Sequence, residues 1–227
     1  MNVSEPTNLA PYYIMRDKVT NRAFAQFAKD NPSALRDSQW QKGADIEADR
    51  PLGVNDHLDY PVMRVTVDEA RAFALWLGGD LPTDRQWDKA GGRFDGAIGP
   101  FGGHGDVSDD REKEEFGIGK KTYPGNRTVV AESKFHCRDM AGNGFEWTRT
   151  VFADGKEGGE NVPFDNLTWD GRIWLRAMTY MSDAPFRFDR LKAQPYSKYR
   201  FRDPDLNMPE DTADVGFRVV IEVPPAP

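Results

Sequence analysis

Apolar residues fall along this chain in short groups separated by polar stretches, and several of those groups carry a recognisable period. Tyr12, Tyr13, Ile14 and Met15 read as a short strand. Val19, Ala23, Phe24 and Phe27 then recur at helical spacing, with Thr20 placed to cap the helix. The clearest helix starts at Thr66, where Thr66-Val67-Asp68-Glu69 forms a capping box whose hydroxyl and carboxylate satisfy the first free backbone N–H groups. Ala70, Phe73, Ala74 and Leu77 continue it as an apolar stripe, and Gly78-Gly79 supplies a left-handed C-cap. A second capping box, Thr83-Asp84-Arg85-Gln86, opens a short helix through Trp87 and Ala90 that ends at Gly91-Gly92. Residues 30–60 are polar and broken by Pro32, Pro51 and Gly53, which predicts a long loop region. From about 93 to 135 the chain is Gly-rich and charged, and its mixed-sign run Asp109 to Glu115 reads as a solvated loop face. The remaining strands fall at Arg172 to Met181 and Gly216 to Val223. Two to three helices on a small, mainly antiparallel sheet, with little regular secondary structure, define an α+β class.

Composition sharpens this picture. Hydrophobic residues are 38% of 227, while 21 Gly, 16 Pro, 14 Phe and 6 Trp point to a loop-rich fold with an aromatic core. The length suits one sizeable domain or two small ones, and the organisation expected is one domain over 1–227, with a core from about 12 to 222 and a Pro-rich tail over 223–227. A formal charge of −7 argues against nucleic acid or an anionic membrane as the main partner, because phosphate binding draws on clustered Lys and Arg. The single cysteine, Cys137, excludes an internal disulfide and any site that needs two thiolates. Residues 1–7 lack a basic and then apolar leader, and no apolar run approaches the roughly 20 residues that span a bilayer. The expected compartment is therefore cytoplasmic.

Local motifs for chemistry are sparse. His57, His104 and His136 are widely separated and form no metal-binding spacing. Ser182-Asp183 lacks the Gly-x-Ser-x-Gly frame of a nucleophile elbow, so a local hydrogen-bonding role is expected of the hydroxyl. The cluster Gly99 to Asp106 has no Gly-Lys-Ser/Thr and reads as a flexible loop.

One stretch is more specific: Asp139-Met140-Ala141-Gly142-Asn143-Gly144-Phe145-Glu146-Trp147-Thr148, preceded by Leu81-Pro82-Thr83-Asp84-Arg85-Gln86-Trp87 and followed by Gly216-Phe217-Arg218-Val219-Val220. Together with Tyr12 to Phe27 and Pro61 to Gly78, these pieces in this order resemble the formylglycine-generating-enzyme (sulfatase-modifying factor) domain family. The resemblance implies a C-type-lectin-like fold of the formylglycine-generating-enzyme subtype. It also implies where chemistry would sit. Active members oxidise a substrate cysteine with a pair of cysteines that bind Cu(I), a soft ion that prefers thiolates. Aligned on Tyr180, those two positions fall at Ser182 and Arg187, so no copper is expected. Family members also hold structural calcium through the Gly-Asn-x-x-Glu part of the motif, which maps to Asn143 and Glu146 as metal ligands; the alternative is that both fasten a turn by hydrogen bonds.

The same resemblance designates a ligand face. It would carry Thr179, Tyr180, Ser182, Asp183, Phe186, Arg187 and Arg190, with Phe188, Tyr196, Tyr199, Arg200 and Arg202 beside them. Aromatics interleaved with arginines suit protein recognition; the alternative places the rings in the core and pairs the arginines with the protein's own acids. The expected function is a non-catalytic module that binds a protein or peptide through this face, for example as an accessory domain of a bacterial signalling or defence system. Two alternatives stay open: a metal-dependent oxidase or oxygenase with a relocated site, and a variable ligand-binding protein of a diversity-generating retroelement. Nothing in the sequence sets an oligomeric state.

Overall fold

A computed structural model of the chain describes residues 9–35, 40, 58–101, 110–119, 130–152, 172–193 and 215–224. β1 (Tyr12–Ile14) leads into α1 (Asn21–Asp30), where the Thr20 hydroxyl accepts a hydrogen bond from the Ala23 N–H at 3.4 Å. In α2 (Val67–Trp76) both halves of the capping box are present: Glu69 N–H donates to Thr66 Oγ1 at 3.2 Å, and Thr66 N–H donates to Glu69 Oε2 at 2.7 Å. The helix stops where Gly78 takes φ 86°, which lets Gly79 N–H reach back to the Ala74 carbonyl at 2.9 Å. Ala70, Phe73 and Ala74 are buried as expected, but Leu77 lies past the last turn and is 44% exposed. α3 (Asp84–Ala90) repeats the capping device at Thr83 and buries Trp87 completely.

Two small sheets complete the α+β architecture. β1 pairs antiparallel with β5 (Val220–Glu222), Tyr13 opposite Ile221. In the other sheet β2 (Phe145–Phe152) lies between β3 (Arg172–Arg176), antiparallel, and β4 (Val215–Gly216), parallel. The strand expected over 172–181 ends at Arg176, because Ala177 turns to φ 62°. The strand expected over 216–223 splits into β4 and β5, which belong to different sheets. A further correction concerns the charged run before Phe116. It forms a short helix, α4 (Asp110–Phe116), because the Phe116 ring docks against Phe101 at 4.8 Å beside buried Ile118, Ala131 and Ala141.

The core is aromatic, as the composition required. The Phe24 and Phe73 rings lie 5.7 Å apart, each also within 5.4 to 6.2 Å of Phe27 and Phe217, and the four join α1 and α2 to the segment between β4 and β5. A second cluster gathers Trp87, Met140, Phe186 and Phe188 under the loops that follow β3. Among the described residues no helix is long and apolar enough to cross a membrane.

Candidate functional site

The segment after β3 carries most of the sequence-predicted ligand residues, and buried groups hold it at both ends. At its start Arg176 is buried; its Nε donates to Asp88 Oδ1 at 2.7 Å and its Nη2 donates to Asp88 Oδ2 at 3.1 Å and Asp84 Oδ2 at 3.3 Å. Asp88, fully buried, also accepts from Arg93 Nη1 at 2.7 Å, so the carboxylate serves two guanidinium groups. Further on, Phe186 packs edge-on against Trp87 at 5.2 Å, and Phe188 lies 5.5 Å from Phe186. The intervening backbone is tied to separate loops: Gly119 N–H to the Ser182 carbonyl, Phe186 N–H to the Ala141 carbonyl, each at 2.8 Å, and Phe188 N–H to the Ile98 carbonyl at 2.7 Å.

Between these anchors Thr179, Tyr180 and Ser182 are half-buried, while Met181, Asp183 and Arg190 are exposed. The Ser182 hydroxyl donates to the Ala184 carbonyl at 2.8 Å and accepts from Ala184 N–H at 3.3 Å, the local role anticipated for it. Arg187 is half-buried and grips Asp189 with Nε and Nη2 at 3.0 and 2.9 Å. Those hydrogen bonds hold the Asp189 carboxyl below its ordinary range. Phe186 is a correction: it is fully buried in the Trp87 cluster and offers nothing to a ligand. Tyr196, Tyr199, Arg200 and Arg202 lie outside the described residues.

The Asn143–Glu146 pair is placed quite differently from a cation site. Glu146 stands on β2 with no exposed surface, and four donors converge on its two oxygens. Arg218 donates to Oε2 from Nε at 2.6 Å and to Oε1 from Nη2 at 2.7 Å; Lys18 Nζ donates to Oε1 at 2.8 Å and Trp87 Nε1 to Oε2 at 2.9 Å. Arg218 spends its remaining N–H groups on the Met15, Arg16 and Arg138 carbonyls at 2.9 to 3.1 Å, and Lys18 reaches the Gly144 carbonyl at 2.9 Å. Burial alone would raise the Glu146 pKa, but the Arg218 and Lys18 charges override it and lower the value to about 2.

Two buried cations on one carboxylate leave the locality with a positive surplus. That surplus repels a divalent ion, and both carboxylate oxygens are already used. The donor set at Glu146 therefore does not fit calcium, and the expectation of a metal ligand there is corrected to an ion-pair fastener. Asn143, at φ 57°, donates from Nδ2 to Asp139 Oδ2 at 3.2 Å and ties the turn by hydrogen bonding, the other alternative raised for it. Sequence reasoning missed Lys18 and the role of Arg218, since the first lies 128 positions from Glu146 and the second 72.

Other reactive groups are scattered. Cys137 joins the Trp87 cluster, 2% exposed, and burial pushes its thiol up against the opposing pull of Arg218. His136 is exposed and meets Glu132 at 3.2 Å; His57 and His104 lie outside the described residues. Among the described residues no three His, Cys, Asp or Glu side chains gather as a metal would require.

A small mixed fold built from short strands, capped helices and tied loops, with the Asp139–Thr148 motif fastened to Arg218, is the C-type-lectin-like architecture of the formylglycine-generating-enzyme subtype. The model of the sulfatase-modifying factor enzyme 1-like domain matches residues 2–223, and the chain belongs to that family. Inactive C-alpha-formylglycine-generating enzyme 2 of Bos taurus is 31% identical over 102 residues, which are 44% of this chain and 28% of that protein. The formylglycine-generating enzyme of Thermomonospora curvata is 25% identical over 183 residues, 61% of this chain and 59% of that protein. The matched part thus spans less than two thirds of each of these relatives. Among solved structures, CarF superposes with a TM-score of 0.56 at 16% identity, covering 96% of this chain and 89% of its own. PvdO from Pseudomonas aeruginosa superposes with the same TM-score at 17% identity, covering 94% and 81%. These two likenesses bear on the fold alone.

Proposed function

We propose that this chain is a non-catalytic ligand- or protein-binding module on a formylglycine-generating-enzyme scaffold, and that it binds through the segment Thr179 to Arg190. One observation carries the reading: the two positions that the family resemblance assigns to copper thiolates hold Ser182 and Arg187, and both side chains are committed to neighbours, Ala184 and Asp189. A hydroxyl and a guanidinium do not replace two thiolates for Cu(I). The remaining thiol, Cys137, is buried. Two of the matched relatives carry the word inactive in their names, which agrees with a family in which the scaffold outlives the chemistry.

The binding half of the proposal rests on how the segment is supported. Buried Arg176, Phe186 and Phe188 anchor the segment, so the exposed Met181, Asp183 and Arg190, with half-buried Tyr180 among them, stand on a tied base, the arrangement from which a loop recognises a partner with little loss of entropy. The partner class is a protein or an extended peptide. Peptides selected from a random display library on the wild-type protein provide the test. The selected peptides are expected to lose at least tenfold in affinity for Tyr180→Ala and Arg190→Glu, and to keep it for Lys29→Ala on α1. Selected peptides that bind all three variants equally would contradict the assignment of this face. Oxidation of a cysteine-containing peptide to its aldehyde by the protein supplied with copper and dioxygen would contradict the non-catalytic half.

A further inference from the structure

We draw no further inference here: the strongest candidate, the exposed apolar surface made by Tyr13 and Ile221 on the β1–β5 pair with Leu75, Trp76 and Leu77 at the end of α2, carries nothing because nothing in the structure shows what covers it.

Discussion

Replacing Glu146 with Gln keeps the shape of the side chain and removes its charge, so the buried Lys18 and Arg218 lose the carboxylate that both of them pair with. Breaking a buried pair from one side costs about 3–5 kcal/mol. The depressed acidity points in the same direction: Arg218 and Lys18 hold the Glu146 carboxyl well below its ordinary value, so the folded state favours the ionised form. For a chain of this length the loss lowers Tm by on the order of 10 °C. The assay is thermal and urea unfolding followed by tryptophan fluorescence, which reports on this site directly because the Trp87 indole donates to Glu146. The sign of the pH dependence follows from the folded pKa being the lower one. The contribution of Glu146 is complete above its unfolded value near 4.5 and disappears as pH falls through about 2, so Glu146→Gln narrows its deficit relative to wild type across that window. A Gln variant within about 0.5 kcal/mol of wild type at neutral pH, the scatter of ordinary surface substitutions, would refute the ion-pair fastener. Added calcium is expected to leave the wild-type Tm unchanged through this site; a calcium-dependent rise abolished in the Gln variant would restore Glu146 as a ligand.

Three further outcomes follow from the packing. Phe186→Ala, which opens a cavity beside Trp87 and Phe188, is expected to cost about 3–5 kcal/mol in urea denaturation, whereas a loss below about 1 kcal/mol would return Phe186 to the surface. Thr66→Ala removes one half of the α2 capping box and is expected to cost about 1 kcal/mol, with no change in peptide binding. Gly142→Ala places a methyl group against the Phe116 carbonyl oxygen and 2.7 Å from Ile118 Cγ2, so a destabilisation of about 1–3 kcal/mol is expected, read as a lowered urea midpoint.

How much of this was legible follows from the range over which each signal acts. The capping boxes at Thr66 and Thr83 and the Gly78 stop are codes written within a few residues, and the chain obeys them. β2 was hidden because its alternation breaks at Arg149, where the pairing with β3 also shifts register between Trp147 and Val151. α4 was hidden because its charged residues masked the single ring, Phe116, that docks it. Phe186 lies among arginines in a short, aperiodic stretch, and only the approach of Trp87 from α3 decides that it turns inward. The Lys18–Glu146–Arg218 cluster is the extreme case. Lys18 and Arg218 lie on connections near opposite ends of the chain and Glu146 on β2 between them, and no local spacing relates the three. The family motif was therefore recognisable as a motif before its physical work was, and at Glu146 that work is to fasten two buried cations.

The central claim, a scaffold kept without its copper chemistry, is tested most directly by elemental analysis of protein purified without chelator and then offered Cu(I) under reducing conditions before gel filtration. With Ser182 and Arg187 at the positions that the family resemblance assigns to the thiolate pair, the reading proposed above predicts no stoichiometric copper or iron retained, before or after the copper treatment. One equivalent of either metal held per chain through the column would contradict the claim and make a metal-dependent oxidase the leading description of this protein.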